Sequence, residues 1–291
     1  MRLLMWFAVV ALLVSPLSAQ GPFRFRDVDP ASIELSEGGK PAFVYNHGML
    51  LRNGAPEARR RSGYLHPVYA PDGTVVTDDF PRDHFHHRGI FWAWPIVRVG
   101  GAKYDPWLVE ERFKARFVRW LARDARSSSA RLAVENGWFA GEKKLVKEMV
   151  EITVRPTRDM RRVIAFAITL EATEIPVELE GEPTQEKGYG GFSVRFAPRQ
   201  DTVVTTDKGA QSKDTDMVPH PWAQLEGTFG GRRAGLRIDI DPANRGYPNG
   251  WCLRNYGFLG VNFPGRRTFT LEPGSPLILK YRVTVFASAK Q

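Results

Sequence analysis

The chain has 291 residues, 43% of them hydrophobic and 12% aromatic, which provides for a sizeable core and argues against global disorder. Its formal charge of +9 suits acidic polysaccharide, anionic lipid or nucleic acid, but no basic stretch interleaved with stacking aromatics speaks for RNA. The one cysteine, Cys252, excludes an internal disulfide and a zinc site built from several thiolates, and a buried small apolar role is expected for it.

The first twenty residues, MRLLMWFAVVALLVSPLSAQ, carry a positive charge at Arg2, an apolar run from Leu3 to Val14, and small residues up to Ala19. That is the pattern of a secretory leader, too short for a membrane span. The reading is a signal peptide over 1–19 and a single domain over 20–291, periplasmic or secreted. Export removes nucleic acid as a partner, and nothing later in the chain is apolar enough for a helical span.

Turn signals recur at short intervals, at Pro71-Asp72-Gly73, Gly100-Gly101, Asn136-Gly137, Pro248-Asn249-Gly250 and Pro273-Gly274. Between them lie strand patterns. Phe113 to Arg126 has some helical period but leads through a serine-rich turn into another strand-like run, so a strand is expected. Val150, Ile152 and Val154 alternate with polar residues. Val163 to Leu170 is apolar at both parities, which predicts a strand covered on both faces. No glycine-rich phosphate loop, nucleophile elbow or helical zinc-protease pattern occurs. The expectation is all-β: a large β-sandwich of the mutarotase-like supersandwich type, with a cupin-like double-stranded barrel second.

Three blocks concentrate chemistry. The first is DHFHHRGIFWAW, with His84, His86, His87, Arg88 and Trp94, preceded by His66. Read as extended chain, it puts His84, His86 and Arg88 on one face and Phe85 and His87 on the other, with Phe85 in the core. Neutral imidazoles transfer protons near neutral pH. Flanking aromatics, Trp107 among them, offer flat faces to sugar rings. His84 and His86 are also the pair that would share a divalent metal, if there is one; no cofactor is otherwise implied. The second block, EKGYGGFSVRF, offers Glu186 as a complementary carboxylate and Lys187 and Arg195 as cations for a carboxylate or oxyanion. Gly188, Gly190 and Gly191 there permit unusual backbone angles. The third runs from Asp241 to Gly265 and contains Tyr247, Trp251 and Arg254, with Trp251 or Trp94 to stack on a sugar and Arg254 to orient it.

The blocks SGYLHPVYAPDGTVVTDDFPRDHFHHRGIFWAW, KGYGGFSVRF, YPNGWCLRNYGFLGVNFPG and LEPGSPLILKYRV resemble, in order and over most of the mature chain, an exported bacterial family labelled PmoA-like or left as a domain of unknown function. The resemblance implies a β-sandwich and a place in bacterial carbohydrate use, with the three blocks as pocket residues. The methane-oxygenase sense of the label does not fit, because such a subunit would be a multi-span membrane protein. Cys252 departs from the resemblance, which leads one to expect a histidine or another polar residue there. The functional expectation is an exported carbohydrate-active enzyme working on a sugar, one that the charge allows to be anionic, by hydrolysis, elimination or epimerisation. A metal-dependent cupin-like oxygenase or isomerase and a non-catalytic glycan-binding module are the alternatives.

Overall fold

A computed structural model describes residues 22–184 and 186–288; the segment 1–19, read as a signal peptide, lies outside them. Within that range the chain forms strands, with one short 3-10 turn at Glu57–Arg59 and no helix long or apolar enough to cross a membrane.

Two nine-stranded sheets make the sandwich. The first places Ile90–Ala93, Gly191–Arg195, Phe258–Val261 and Gly250–Arg254 side by side in its middle and far half, with Thr215–Pro219 at its edge. The second is built around Lys143–Val154, Arg161–Ala172 and Leu277–Ala287, long antiparallel strands in continuous register. A four-stranded sheet, Phe269–Leu271, Val177–Glu180, Ile96–Val99 and Ala102–Tyr104, adds Val97, Val177, Leu179 and Leu271 to the same core. Two sheets of this size fit the supersandwich expectation, not a compact cupin-like barrel.

The segment expected as strand from Phe113 is one, Phe113–Ala125. Arg161–Ala172 differs from expectation. Ile164, Phe166, Ile168 and Leu170 are buried, while Val163, Ala165 and Ala167 face outward, partly or fully exposed. An apolar outer parity there is β-branched and alanine filler on a solvent face, not a second covered face.

The inner faces meet through aromatic contacts. Phe192 of the first sheet stacks on Tyr281 of the second at 4.3 Å between ring centres and meets Phe166 edge-on at 5.1 Å. Trp92 of the first sheet and Trp138 of the second both donate their indole N–H to the buried carboxyl of Glu148, at 2.8 and 2.9 Å, with Asn136 donating to its other oxygen at 2.8 Å. Such an acid is tolerable in a core because its oxygens are satisfied. Phe192→Ala removes both cross-sheet ring contacts, and a third with Trp92, from a residue that is 1% exposed and is expected to cost about 3–5 kcal/mol, read by denaturant unfolding; a loss under about 1 kcal/mol would mean that the two sheets do not pack as described.

Candidate functional site

The centre of the first sheet is buried on both faces. Trp92, Phe192, Val194, Trp251, Leu253 and Leu259 point inward to the main core, whereas Tyr64, Phe91, Ala93, Cys252 and Phe258 form a separate cluster on the other side. Strand alternation makes that division. Pairing then sets the outer residues in rows. Arg195 lies opposite Phe258, and Phe258 opposite Arg254, in one row; Ser193, Gly260 and Cys252 form the next.

Above this floor runs the histidine block. It is not extended. His84 N–H donates to the Pro81 carbonyl at 3.0 Å and His87 N–H to the His84 carbonyl at 2.8 Å, so the chain makes two successive turns. The expected division into two strand faces therefore fails, and Phe85 is half-exposed, not core. The turns gather all three imidazoles. Tyr256, His84, His87 and Phe258 form a column of stacked rings, with centroid spacings of 5.4, 4.6 and 4.9 Å. His86 stands edge-on to His87 at 4.5 Å and to His84 at 5.6 Å.

Two arginines hold the turns in place. Arg88, 0% exposed, donates to the carbonyls of Phe85, His87 and Arg59 at 2.8, 2.7 and 2.6 Å. Its guanidinium lies 3.3 Å above the Phe80 ring, with Nε 3.6 Å from the carboxyl of Asp79. Arg195 donates from one nitrogen to both oxygens of Asp83, at 3.0 and 2.8 Å, and covers the Tyr256 ring at 4.8 Å. Asp83 in turn sits 3.0 Å from His84 Nδ1, an ion-pair distance without hydrogen-bond alignment. Arg88 and Arg195, both expected to bind substrate, do not line the cavity that the blocks enclose; Arg88 is taken up by the three carbonyls, whereas Arg195 spends one nitrogen on Asp83 and keeps its other two buried without a hydrogen-bond partner among the described residues.

The loop Lys187–Tyr189 closes the third side. Gly188, Gly190 and Gly191 have φ of +57°, +146° and +114°. A side chain on Gly191 would bring Cβ to 2.7 Å from the Val261 carbonyl, so this glycine serves backbone packing. Together the blocks enclose a cavity of about 250 Å³, lined by His84, His86, His87, Trp107, Leu108, Lys187, Tyr189, Cys252, Arg254, Tyr256 and Phe258.

Of the residues singled out in the sequence, the cavity collects His84, His86, His87, Trp107, Lys187 and Arg254. Arg254 is tied by one nitrogen to Asp216 at 2.6 Å and by the other to the Thr215 and Leu253 carbonyls. Lys187 has no ion-pair partner among the described residues. The others lie elsewhere. Glu186 stands outside the lining, its side chain 85% exposed and 3.5 Å from Arg266, because its backbone turns it to solvent at φ +56°. Trp94 and Trp251 are at inward parity in the core, donating to the Phe263 carbonyl at 2.6 Å and the His220 carbonyl at 2.8 Å, and neither is placed to stack on a ligand. Tyr247 is on an exposed loop. His66 is on Tyr64–Val68, beside Thr77 at 3.1 Å, outside the cavity. Tyr189 and Phe258 were not singled out in the sequence, and Cys252 was read only as a buried small apolar residue, which it is; Cys252 and Phe258 share the parity of Arg254.

Burial, followed by the nearby His84, Arg59, Arg88 and Arg61, lowers His86 to about 3. Burial and the neighbouring His86 and His84 hold His87 well below the ordinary range. Both are therefore neutral at physiological pH. Burial raises the phenol of Tyr189 and the thiol of Cys252 to about 12, so both stay protonated. No Asp or Glu lines the cavity among the described residues. His84 and His86, the pair expected to share a metal, stand edge-on with their ring centroids 5.6 Å apart. No group of three or more His, Cys, Asp or Glu among the described residues is arranged to hold a metal.

The chain belongs to the family of unknown function DUF6807, whose match covers residues 32–291. No curated protein matches it. Similar solved structures include the heparinase III BT4657 gene product, at 8% identity and TM-score 0.39, over 93% of this chain and 35% of that one. A TPR-domain protein from Parabacteroides distasonis aligns at 10% identity and TM-score 0.41, over 89% of this chain and 48% of that one. A GalM/aldose epimerase homologue from C. elegans aligns at 9% identity and TM-score 0.31, over 92% of this chain and all of that one. The chain thus spans about a third and a half of the first two.

Two predictions follow from the histidine turns. Arg88→Ala removes the donor to three carbonyls and the cation nearest Asp79, which keeps Tyr64 at 3.0 Å and Arg52 at 3.9 Å, and should cost about 3–5 kcal/mol in denaturant unfolding, whereas Phe85→Ala should cost far less; equal losses would contradict the arrangement. The second concerns pH. His86 titrates at about 3 in the folded chain against 6.5 ordinarily. The unfolded state therefore takes up its proton first, and stability is lost as pH falls from 6.5 toward 3. Asp79, raised to about 6 by burial, acts in the opposite direction and is unchanged in the variant. His86→Gln should therefore narrow the drop in melting temperature between pH 7 and pH 5. An unaltered drop would show that His86 is not held neutral.

Proposed function

We propose that the protein is an exported carbohydrate-active enzyme that removes a proton from the carbon beside the carboxylate of an acidic sugar. The observation that carries this reading is the cavity where neutral His86 and His87 meet the unpaired Lys187, with no carboxylate in the lining. Hydrolysis by two carboxylates needs an acid and a base or nucleophile flanking the bond, and Glu186 is not placed to be either. Proton transfer at carbon needs only a neutral base, a cation for the carboxylate, and a protonated group to return or supply a proton. His86 or His87 is the base, Lys187 the cation, and Tyr189 the protonated donor.

Electrostatics favour a negative substrate. Cations contribute to holding His86 at about 3, too low for an effective base. A carboxylate bound at Lys187 offsets them and moves the imidazole back toward neutrality. The base then takes the proton. The electron pair left on carbon either expels the β-oxygen, which leaves with the Tyr189 proton as a double bond forms, or recaptures a proton on the other face to give the epimer. At about 250 Å³ the cavity is slightly below the roughly 300–1,000 Å³ of typical ligand pockets, room for one sugar ring.

The test is incubation with uronates, their short oligomers and matched neutral sugars in D₂O. Deuterium at the carbon beside the carboxylate, or a UV-absorbing unsaturated product, is expected. His86→Ala should lower the rate by about 10²–10⁴, and Lys187→Ala should mainly raise KM for acidic substrates. Binding without exchange or turnover would make the protein a glycan-binding module, and turnover of neutral sugars alone would overturn the reading.

A further inference from the structure

A second cavity lies on the same face of the same sheet. It has a volume of about 360 Å³, and its lining includes Met217, Arg245, Asn249, Gly250, Asn262 and Arg267. Along Gly250–Arg254 the outer parity runs Arg254, Cys252, Gly250. Along its partner it runs Phe258, Gly260, and then Asn262, whose N–H donates to the Gly250 carbonyl at 2.8 Å. The floor of the first cavity therefore continues into the second, two residues or about 7 Å further along the strands.

The boundary between them is a β-bulge. The pairing of Thr215–Pro219 with Gly250–Arg254 slips between Asp216 and Val218, leaving Met217 as the extra residue with φ +56°. The side chain of Met217 fills the space beside Gly188, where a Cβ would collide with its sulfur. Asn262 ties the two sides together. Its amide donates to the Lys187 carbonyl at 3.2 Å, next to the cation of the first cavity, while its Oδ1 is buried without a partner among the described residues.

The second cavity is basic. Neither Arg245 nor Arg267 has a carboxylate within ion-pair distance among the described residues; Arg245 instead lies 5.4 Å over the Phe269 ring. Guanidinium groups free of protein partners present a planar fork that matches a carboxylate. Asn249 is already turned inward, its amide donating to the Arg245 carbonyl at 3.0 Å and so holding the loop that carries this arginine.

We infer that the second cavity is a subsite for a further acidic sugar, so that the substrate is an oligosaccharide with carboxylates on successive residues. This rests on the acidic-sugar reading of the first cavity. One ring sits at His86 and Lys187; the chain crosses the Met217 bulge; the carboxylate of a following sugar meets Arg245 and Arg267.

The measurement is calorimetric titration with galacturonic acid and with its linear trimer, in low and high salt. The trimer should bind the wild-type chain at least about tenfold more tightly than the monomer, with the advantage shrinking as salt rises. The double variant Arg245→Ala/Arg267→Ala should lose that advantage, bind the monomer as before and melt as the wild type does. Both arginines are exposed, so folding should survive. If the double variant keeps the trimer affinity, or the wild type binds trimer no better than monomer, the second subsite is overturned. Lys187→Ala provides the separate check. Unchanged monomer binding in that variant overturns the first-cavity reading, whatever the arginines show. A wild-type chain that binds neither probe overturns both.

Discussion

The middle of the first sheet is covered on both faces, and from that the site follows. A strand that buries both parities gives each residue one of two destinations with nothing exposed between them. Trp251 and Leu253 go to the core against the second sheet; Cys252 and Arg254 go to the outer floor. The outer floor still has to be covered, and the histidine turns and the Lys187–Tyr189 loop cover it. The cavity is what remains between a floor set by strand register and loops held by specific hydrogen bonds. A slip of one residue in Gly250–Arg254 would put Trp251 under the imidazoles and Arg254 in the core, so register and site are one constraint.

Covering the floor with histidines has an electrostatic consequence. Four rings in a column, closely packed with Trp107 and against the buried guanidinium of Arg88, leave little water to stabilise an imidazolium. Each neighbouring cation adds to the cost of a second positive charge. Burial thus does most to keep the bases unprotonated, and the neighbouring histidines and the arginines that shape the turns add to it. Arg195 serves differently: its pairing with both oxygens of Asp83 anchors the turn to the sheet, and burial, which would raise that carboxyl, is outweighed by Arg195 and His84. Structural support and chemical tuning come from the same side chains, and the two arginines that look most like substrate ligands, Arg88 and Arg195, do not line the cavity.

Much of this was legible beforehand and some was not. Alternation along the long strands and the frequency of turns are local properties, so the all-β sandwich could be read from them. That the His84, Lys187 and Arg254 blocks would share one cavity depends on the order of strands in the sheet, which no local pattern specifies; each block was visible, the convergence was not. The strand reading of the histidine block failed because Pro81 and the polar run Arg82-Asp83 start a turn, a signal that the aromatic run after Gly89 obscured. Glu186 was read by residue type alone, and its positive φ, which turns it to solvent, leaves no trace in the sequence. Trp94 and Trp251 were read as stacking plates, although each has a backbone carbonyl waiting for its indole N–H in the core.

Charge is placed according to the same geometry. The arginines under the histidine turns are buried, so their charge acts on the neighbouring imidazoles, while Arg88 also holds three carbonyls and Arg195 the Asp83 carboxylate. Lys187, Arg245 and Arg267 sit on the cavity rims, where nothing in the described protein neutralises them. A buried cation without a partner would be costly, but at a rim water supports it until a ligand arrives. The outer face thus keeps a positive edge along the direction of its strands, while its centre stays neutral enough for an imidazole to accept a proton. A ligand with negative charge at its periphery and a C–H bond at its centre meets both conditions at once. A neutral sugar would satisfy the stacking rings and leave the rim cations as they are.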